Sequence, residues 1–440
     1  VTPVEAEAAW PNRPYAWYVV VMLMLAYSFS IVDRTGLGLL VQPIEADLHI
    51  SDSQMGLLQG AAFALFYTLF GLPLGFMADR TGRRGLIAAG VAFWSAATIA
   101  CGFARSFPAL FLARVGVGAG EATLSPAGTS MIADYFPPQA RSKAYGVYVI
   151  GTSIGSGMAF LLGGAAIALA SHLRQDYPDW LGALAVWKIV FFLIGAPGLV
   201  IAAVFMATVR EPGRRGLSSV GEKISLKPLF DRLSSEKLVY SSLILGAVAN
   251  FTAIYAMLGW FPSLLIRTHG WSPAEVGGVL GTYGVPCGVF SCLSGGWLIG
   301  WLQKRGHKDA PLIVAIGGSI WFSIAGVCAS LAPSGNLAVV CYCLLSLATN
   351  YCAVSALTGL NLITPNQLRG QVVAIFTMST GLIALSLGPF AIGFLSDTFF
   401  PQGGGIGPSL AIVFAVTGAI GAGLLANARR PFRRVAGEVV

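Results

Sequence analysis

Charge is scarce in this 440-residue chain. Asp, Glu, Lys and Arg together supply 10% of it, where a soluble globular domain carries about 25%. The 27 basic residues outnumber the 19 acidic ones, for a formal charge of +8, but they never form a basic stripe interleaved with aromatics, so no nucleic-acid partner is expected. Histidine is almost absent: His49, His172, His269 and His307 are the full set, and all four are expected in loops. The seven cysteines lie in apolar stretches without a CxxC, which excludes a disulfide framework and a thiolate metal site. There is no Walker A sequence to drive a nucleotide-powered pump. Gly151-Thr152-Ser153-Ile154-Gly155 has the letters of a hydrolase elbow, but it sits inside an apolar run instead of a strand-to-helix turn beside a histidine. No metal, no cofactor and no enzyme activity are expected.

What remains is apolar. Hydrophobic residues make up 55% of the chain and glycine is one residue in eight, 55 in all, a composition suited to close helix packing in lipid. About 20 apolar residues cross the ~30 Å hydrocarbon core as a helix. Twelve such runs are found, near 16–40, 53–78, 85–104, 107–133, 143–170, 186–208, 238–266, 274–302, 311–332, 336–363, 370–397 and 407–428. The fold class expected is an all-α membrane protein of twelve transmembrane helices, numbered here 1 to 12. Twenty-one of the 27 Lys and Arg fall before helix 1, after helix 12 or in the even-to-odd loops, four fall on the other side, and Arg34 and Arg114 lie within helices. Basic loops stay inside. Both termini are therefore expected in the cytoplasm, in a cell inner membrane.

The longest polar stretch, 209–237, divides a six-helix bundle at 16–208 from a second at 238–428. Phe136-Pro137-Pro138-Gln139-Ala140-Arg141 after helix 4 and Thr364-Pro365-Asn366-Gln367-Leu368-Arg369 after helix 10 share Pro-x-Gln-x-Arg at a spacing of 228 residues. A repeat of this kind is expected of carriers built from two related halves.

Four charges stand well inside helices: Asp33 and Arg34 in helix 1, Arg114 and Glu121 in helix 4. Arg114 and Glu121 are seven residues apart and so share a helix face. Intramembrane charges are costly unless paired, which makes them functional candidates. Asp33 and Glu121 are the candidate proton-coupling acids. Arg34 and Arg114 are candidate anion-binding groups, because a guanidinium stays charged and offers a planar fork. A purely structural ion-pair network between the two helices is the competing reading. Tyr255, Trp260, Tyr283 and Asn361 are candidate contributions from helices 7, 8 and 10 to a substrate site between the halves.

Gly75-Phe76-Met77-Ala78-Asp79-Arg80-Thr81-Gly82-Arg83-Arg84 between helices 2 and 3 resembles the signature of the major facilitator superfamily, and Arg114-Val115-Gly116-Val117-Gly118-Ala119-Gly120 resembles its helix 4 motif. Within that superfamily the chain resembles the spinster family, carriers of lysolipids and sphingosine phosphate. The likeness rests on Asp33-Arg34, Ile50-Ser51-Asp52-Ser53-Gln54-Met55-Gly56, Gly118-Ala119-Gly120-Glu121-Ala122, Ile132-Ala133-Asp134-Tyr135-Phe136 and Gly151-Thr152-Ser153-Ile154-Gly155-Ser156-Gly157. It is dense over 30–215 and thin beyond, where Gly388-Pro389, Gly393 and Asp397 are general facilitator features.

The resemblance implies two pseudo-symmetric bundles and alternating access by a monomeric, proton-coupled carrier of an amphipathic anionic lipid. It also implies a cytoplasmic gate built from Gly75, Asp79, Arg83, Arg84, Asp134, Arg141 and Arg369. There Asp79 would face the start of helix 11, and Arg83 would pair with Asp134. A carrier of a small soluble organic anion is the alternative, and a membrane-embedded lipid enzyme is disfavoured by the missing catalytic clusters.

Overall fold

The computed structural model describes Trp10 and residues 12–214, 227–401 and 403–439. Those residues are helical almost throughout, with short connections. Ten of the helices are long and apolar enough to cross a membrane. Helices 2 and 4 complete the twelve, each made of two pieces: Asp52–Gln59 with Ala61–Arg80, and Phe107–Glu121 with Leu124–Tyr135. Helix 10 is broken in the same manner, into Gly335–Ser346 and Thr349–Ile363. Helix 11 passes through a π-helical turn, Thr380–Ala384, between Arg369–Ser379 and Leu385–Phe399. None of these breaks is visible in the hydropathy of the sequence.

Local chemistry sets the ends. Ser51 and Ser272 each close a capping box with Gln54 and Glu275, which satisfies free amides at the starts of helices 2 and 8. Gly270, at φ 70°, ends helix 7 in the left-handed conformation that glycine adopts without penalty. The expected repeat reappears as equivalent contacts. Arg141 Nε donates to the Phe136 carbonyl at 3.0 Å, and Arg369 Nε donates to the Thr364 carbonyl at 3.0 Å. Ser106 and Ser334, again 228 positions apart, occupy the N-caps of helices 4 and 10.

The helices assemble into two six-helix bundles. Helix 1 (Arg13–Gly36) packs on helix 5 (Pro138–Asp176), and helix 3 (Arg83–Gly102) on helix 6 (Val186–Thr208); in the second half, helices 7 (Lys237–His269) and 9 (Ala310–Ser330) pack on helix 12 (Ile406–Val439). Helix 12 continues past 428, where the apolar run ends, because Asp309 accepts from Arg429 at 2.8 Å and pairs with Arg433 at 2.9 Å, and Glu236 accepts from Arg434 at 2.8 Å. Part of the expected linker, 215–226, lies outside the described residues. Its last stretch forms the short helix Lys227–Ser235.

The bundles meet mainly on the face away from the chain termini, called here the far face. Helices 5 and 8 (Pro273–Lys304) touch there through Gly164 and Gly277, and helices 2 and 11 through Gly56, Gly60 and Gly393. On the termini face, Leu124–Tyr135 and Arg369–Ser379 make their main contacts inside their own bundles. The structure is closed at the far face and open at the termini face. A Cβ on Gly393 would lie 2.1 Å from the Asp52 carbonyl oxygen, a backbone atom that no rotamer change can move. Gly393→Ala is therefore expected to hold the far face apart and raise maleimide labelling of a cysteine placed there; labelling unchanged from the parent would show that this approach does not limit closure.

Candidate functional site

Between the bundles lies a cavity of about 400 Å³. Tyr27, Ile31 and Arg34 of helix 1 and Gln59 of helix 2 face it from the first half; Phe251, Tyr255 and Leu258 of helix 7 face it from the second. Its wall is mostly apolar, with one cation. Arg34 is the only charged side chain in it among the described residues, and it sits near the closed end.

Helices 1 and 4 bring their four charges together as two ion pairs. Arg34 Nη2 donates to Glu121 Oε2 at 2.7 Å. Ser30 Oγ donates to the same oxygen at 2.7 Å, while Glu121 Oε1 has no partner. The Arg34 guanidinium stacks 4.1 Å from the Phe63 ring centroid, a cation–π contact that steadies it in place. Deeper in the bundle, Arg114 lies 3.5 Å from Asp33, whose other carboxylate oxygen accepts from Thr98. The two pairs differ in exposure: the Arg34 side chain is 17% exposed, whereas Arg114 is fully buried. Only the first pair borders the cavity.

Of the four second-half candidates, Tyr255 lines the cavity and the others do not. Trp260 is fully buried and donates its indole N–H to the Pro389 carbonyl at 2.9 Å, joining helix 7 to helix 11. Tyr283 is 52% exposed on helix 8, and Asn361 is exposed on helix 10 beyond the cavity. Sequence reasoning missed Gln59, which is buried in the wall and donates from Nε2 to the Gly259 carbonyl at 3.3 Å.

Both faces carry a charged cluster. On the termini face, Arg83 is buried and bonds Asp134, the Glu211 carboxylate at 2.9 Å and the Pro212 carbonyl at 3.1 Å. Arg84 donates its backbone N–H to Glu211 at 2.7 Å. The chain leaving helix 6 is thereby tied to the start of helix 3. Gly75 lies beside Pro126 of helix 4. The Asp79 side chain lies outside the described residues, as does the contact expected of it with helix 11.

The far face carries the stronger link between halves. Arg267 of helix 7 donates to Asp52 Oδ1 at 2.8 Å and to Glu45 in the short helix Val41–Leu48. Asp397 of helix 11 accepts from the Ser53 backbone N–H at 2.8 Å, and Ser396 Oγ donates to Asp52 at 2.6 Å. A carboxylate at a helix N-terminus is favoured by the exposed amides there. The expectation for the other face was an acid of helix 2 at the start of helix 11. Here an acid of helix 11 holds the start of helix 2.

Two six-helix bundles around a central cavity, sealed on one face and open on the other, make an alternating-access secondary transporter and not an enzyme. The chain belongs to the Major Facilitator Superfamily, whose sequence profile matches residues 23–389. It is similar to the MFS-type efflux pump of Mycolicibacterium smegmatis, 28% identical over 431 residues that cover 95% of this chain and 93% of the pump. It is similar also to the D-galactonate transporter of Escherichia coli, 25% identical with 94% and 95% covered, and to the sphingosine-1-phosphate transporter SPNS2 of Xenopus tropicalis, 24% identical with 89% and 77% covered. Among solved structures it resembles a bacterial homologue of the human lysosomal transporter spinster, inward-facing and unoccupied. That match has a TM-score of 0.78 and 29% identity, over 97% of this chain and 98% of the other.

Proposed function

We propose that this transporter is a monomeric, proton-coupled carrier of an amphipathic anion, a lysophospholipid or a sphingosine-phosphate-like lipid. Its membrane is a bacterial inner membrane, with both termini cytoplasmic. The distribution of 21 basic residues against four supports the orientation. The observation that carries the substrate reading is Arg34: a lone cation near the closed end of a mostly apolar cavity matches a molecule with one anionic end and a hydrocarbon body. The resemblance to SPNS2 and to the spinster homologue supports the lipid class. Glu121 holds Arg34 at the cavity wall. When Glu121 takes a proton, the guanidinium turns to the substrate's anionic group, so the proton and the substrate share one switch.

The similarity to the D-galactonate transporter favours a second reading, in which the same guanidinium clamps the carboxylate of a sugar acid. Titration of the purified protein, followed by intrinsic tryptophan fluorescence, divides the two. Saturable binding of lysophosphatidate or sphingosine 1-phosphate, weakened roughly tenfold or more in Arg34→Lys through loss of the bidentate fork, is the expected result. Saturable binding of D-galactonate alone would replace the lipid by a sugar acid. Equal affinity in the lysine variant would remove Arg34 from the site.

A further inference from the structure

The register of the internal repeat assigns a role to helix 10 that no charge announces. Ser106 and Ser334 stand at the N-cap positions of helices 4 and 10, and Arg141 and Arg369 close the other ends of these helices, each pair 228 positions apart. With both ends pinned at one spacing, the residues between them correspond. Arg114 then corresponds to Tyr342, Gly118 to Ser346 and Glu121 to Thr349. Helix 10 carries hydroxyls where helix 4 carries its arginine and its acid. Tyr342, Ser346, Thr349 and Asn350 all line the cavity, opposite the bundle that holds Arg34.

Tyr342 and Ser346 have few partners. Ser346 is 4% exposed, and its Oγ meets the Tyr342 hydroxyl beside it and no second group among the described residues. Each hydroxyl can both donate and accept, so a buried pair with capacity left over in a binding cavity is a place for a ligand atom. Tyr342 is oriented by stacking on Phe261, with ring centroids 5.0 Å apart, and its hydroxyl reaches helix 8, where a Cβ on Gly284 would lie 3.3 Å from it. Asn350 is fixed by donating from Nδ2 to the Gly288 carbonyl at 3.1 Å and from its backbone N–H to Ser291 Oγ at 2.9 Å. Helix 10 breaks between Ser346 and Thr349, at the level of this cluster, as transporter helices do where they meet substrate.

We infer that Tyr342, Ser346 and Asn350 form a second, uncharged subsite that hydrogen-bonds a hydroxyl of the substrate while Arg34 takes its anionic group. The inference rests on the anion-carrier reading above, and it narrows the substrate to an anion that also carries a hydroxyl. A lysolipid headgroup and a sugar acid both supply that chemistry. Arg34 in one bundle and helix 10 in the other would then hold one molecule from two sides. Closure around it would require both groups to be present.

The test compares two ligand pairs on the purified full-length protein by isothermal titration. One pair is lysophosphatidate and its analogue lacking the glycerol hydroxyl. The other is D-galactonate and hexanoate. In one of the pairs the wild type is expected to prefer the hydroxylated member by roughly five- to tenfold, the worth of one well-placed hydrogen bond. That ratio should fall to near one in Ser346→Ala, and again in Tyr342→Phe, with the loss of binding in Arg34→Lys unchanged. The pair that shows the preference identifies the source of the hydroxyl. A wild type that shows no preference for the hydroxylated member in either pair, or a ratio that survives both substitutions, overturns the subsite and leaves the anion-carrier reading standing. A wild type that binds no member of either pair overturns both. Should Tyr342→Phe fail to fold, the wild-type ratio and the smaller Ser346→Ala change still decide the outcome.

Discussion

Glu121→Gln is expected to yield a folded protein that binds substrate at least as well as the parent and no longer moves it uphill. The amide copies the shape of a protonated carboxyl but cannot ionise. In the structure, Glu121 is the acid that holds Arg34, through a 2.7 Å hydrogen bond. Without its negative charge the guanidinium keeps its stacking on Phe63 and its exposure to the cavity, so the fold does not depend on the pair. A carrier locked in the protonated arrangement should equilibrate substrate across proteoliposomes, with no response to a pH gradient. Gradient-driven uptake by this variant, at the parent's pH dependence, would take the coupling role from Glu121.

The contrasting substitution is Asp33→Asn. Among the described residues Asp33 is the sole carboxylate paired with Arg114, whose side chain is fully buried and whose guanidinium makes no hydrogen bond. Breaking a buried pair by neutralising one member costs about 3–5 kcal/mol. The expected outcome is a large fall in thermal stability, against little change for Glu121→Gln. Thus one pair of the network is suited to switching, and the other to holding helices 1 and 4 together.

The second large effect concerns the far-face cluster. Arg267→Ala leaves Glu45, Asp52 and Asp397 facing one another across the closed interface. A loss of ~2 kcal/mol, between the limits for exposed and buried pairs, changes the closed-to-open ratio roughly thirtyfold. A spin-label pair at Ala46 and Thr268, both exposed on that face, should report longer distances in the variant; an unchanged distance distribution would remove the latch. Acidity acts on the same contact. Burial pushes the Glu45 carboxyl up to about 9, with Arg267 pulling it down and Asp52 and Asp397 pushing it further up. A carboxyl whose pKa is raised by closure holds its proton more tightly in the closed state. Closure is then fully favoured below the ordinary carboxyl range, about 4.5, and weakens as the pH rises toward about 9. Glu45→Gln should abolish that dependence and keep the far face closed. A parent whose label distances do not change between pH 5 and pH 9 would contradict the assignment.

The parts of this protein legible in the sequence were those where the membrane makes a residue expensive. Asp33, Arg34, Arg114 and Glu121 stood out because charge inside an apolar helix has few explanations, and the structure brings all four together. Arg83 and Asp134 were reached through a family signature. Trp260, Tyr283 and Asn361 were misplaced for a physical reason. A helix that is apolar on every side has no polar stripe to orient it, so nothing in its sequence says which aromatic faces a cavity and which faces lipid or a neighbouring helix. The π-turn at Thr380–Ala384 and the break at Leu347 and Ala348 depend on packing against other helices, and hydropathy is blind to them. The helix 10 hydroxyls were within reach, since Pro-x-Gln-x-Arg already supplied the spacing of 228. Carrying that spacing back from Arg114 arrives at Tyr342.

The glycine contact between helices 5 and 8 bears on what each turnover must undo. A Cβ on Gly277 would lie 2.5 Å from the Phe160 carbonyl and 3.0 Å from the Gly164 Cα, so at this level the helices meet backbone against backbone. Side chains that interdigitate must change rotamers in concert before two surfaces can part, and must find the same rotamers again on return. Bare backbone has no rotamers to lose. At Gly164 and Gly277 the seam can separate and reseat like a smooth bearing, with little entropy spent and little friction. Close packing is usually read as rigidity, but here it lets the two halves part easily.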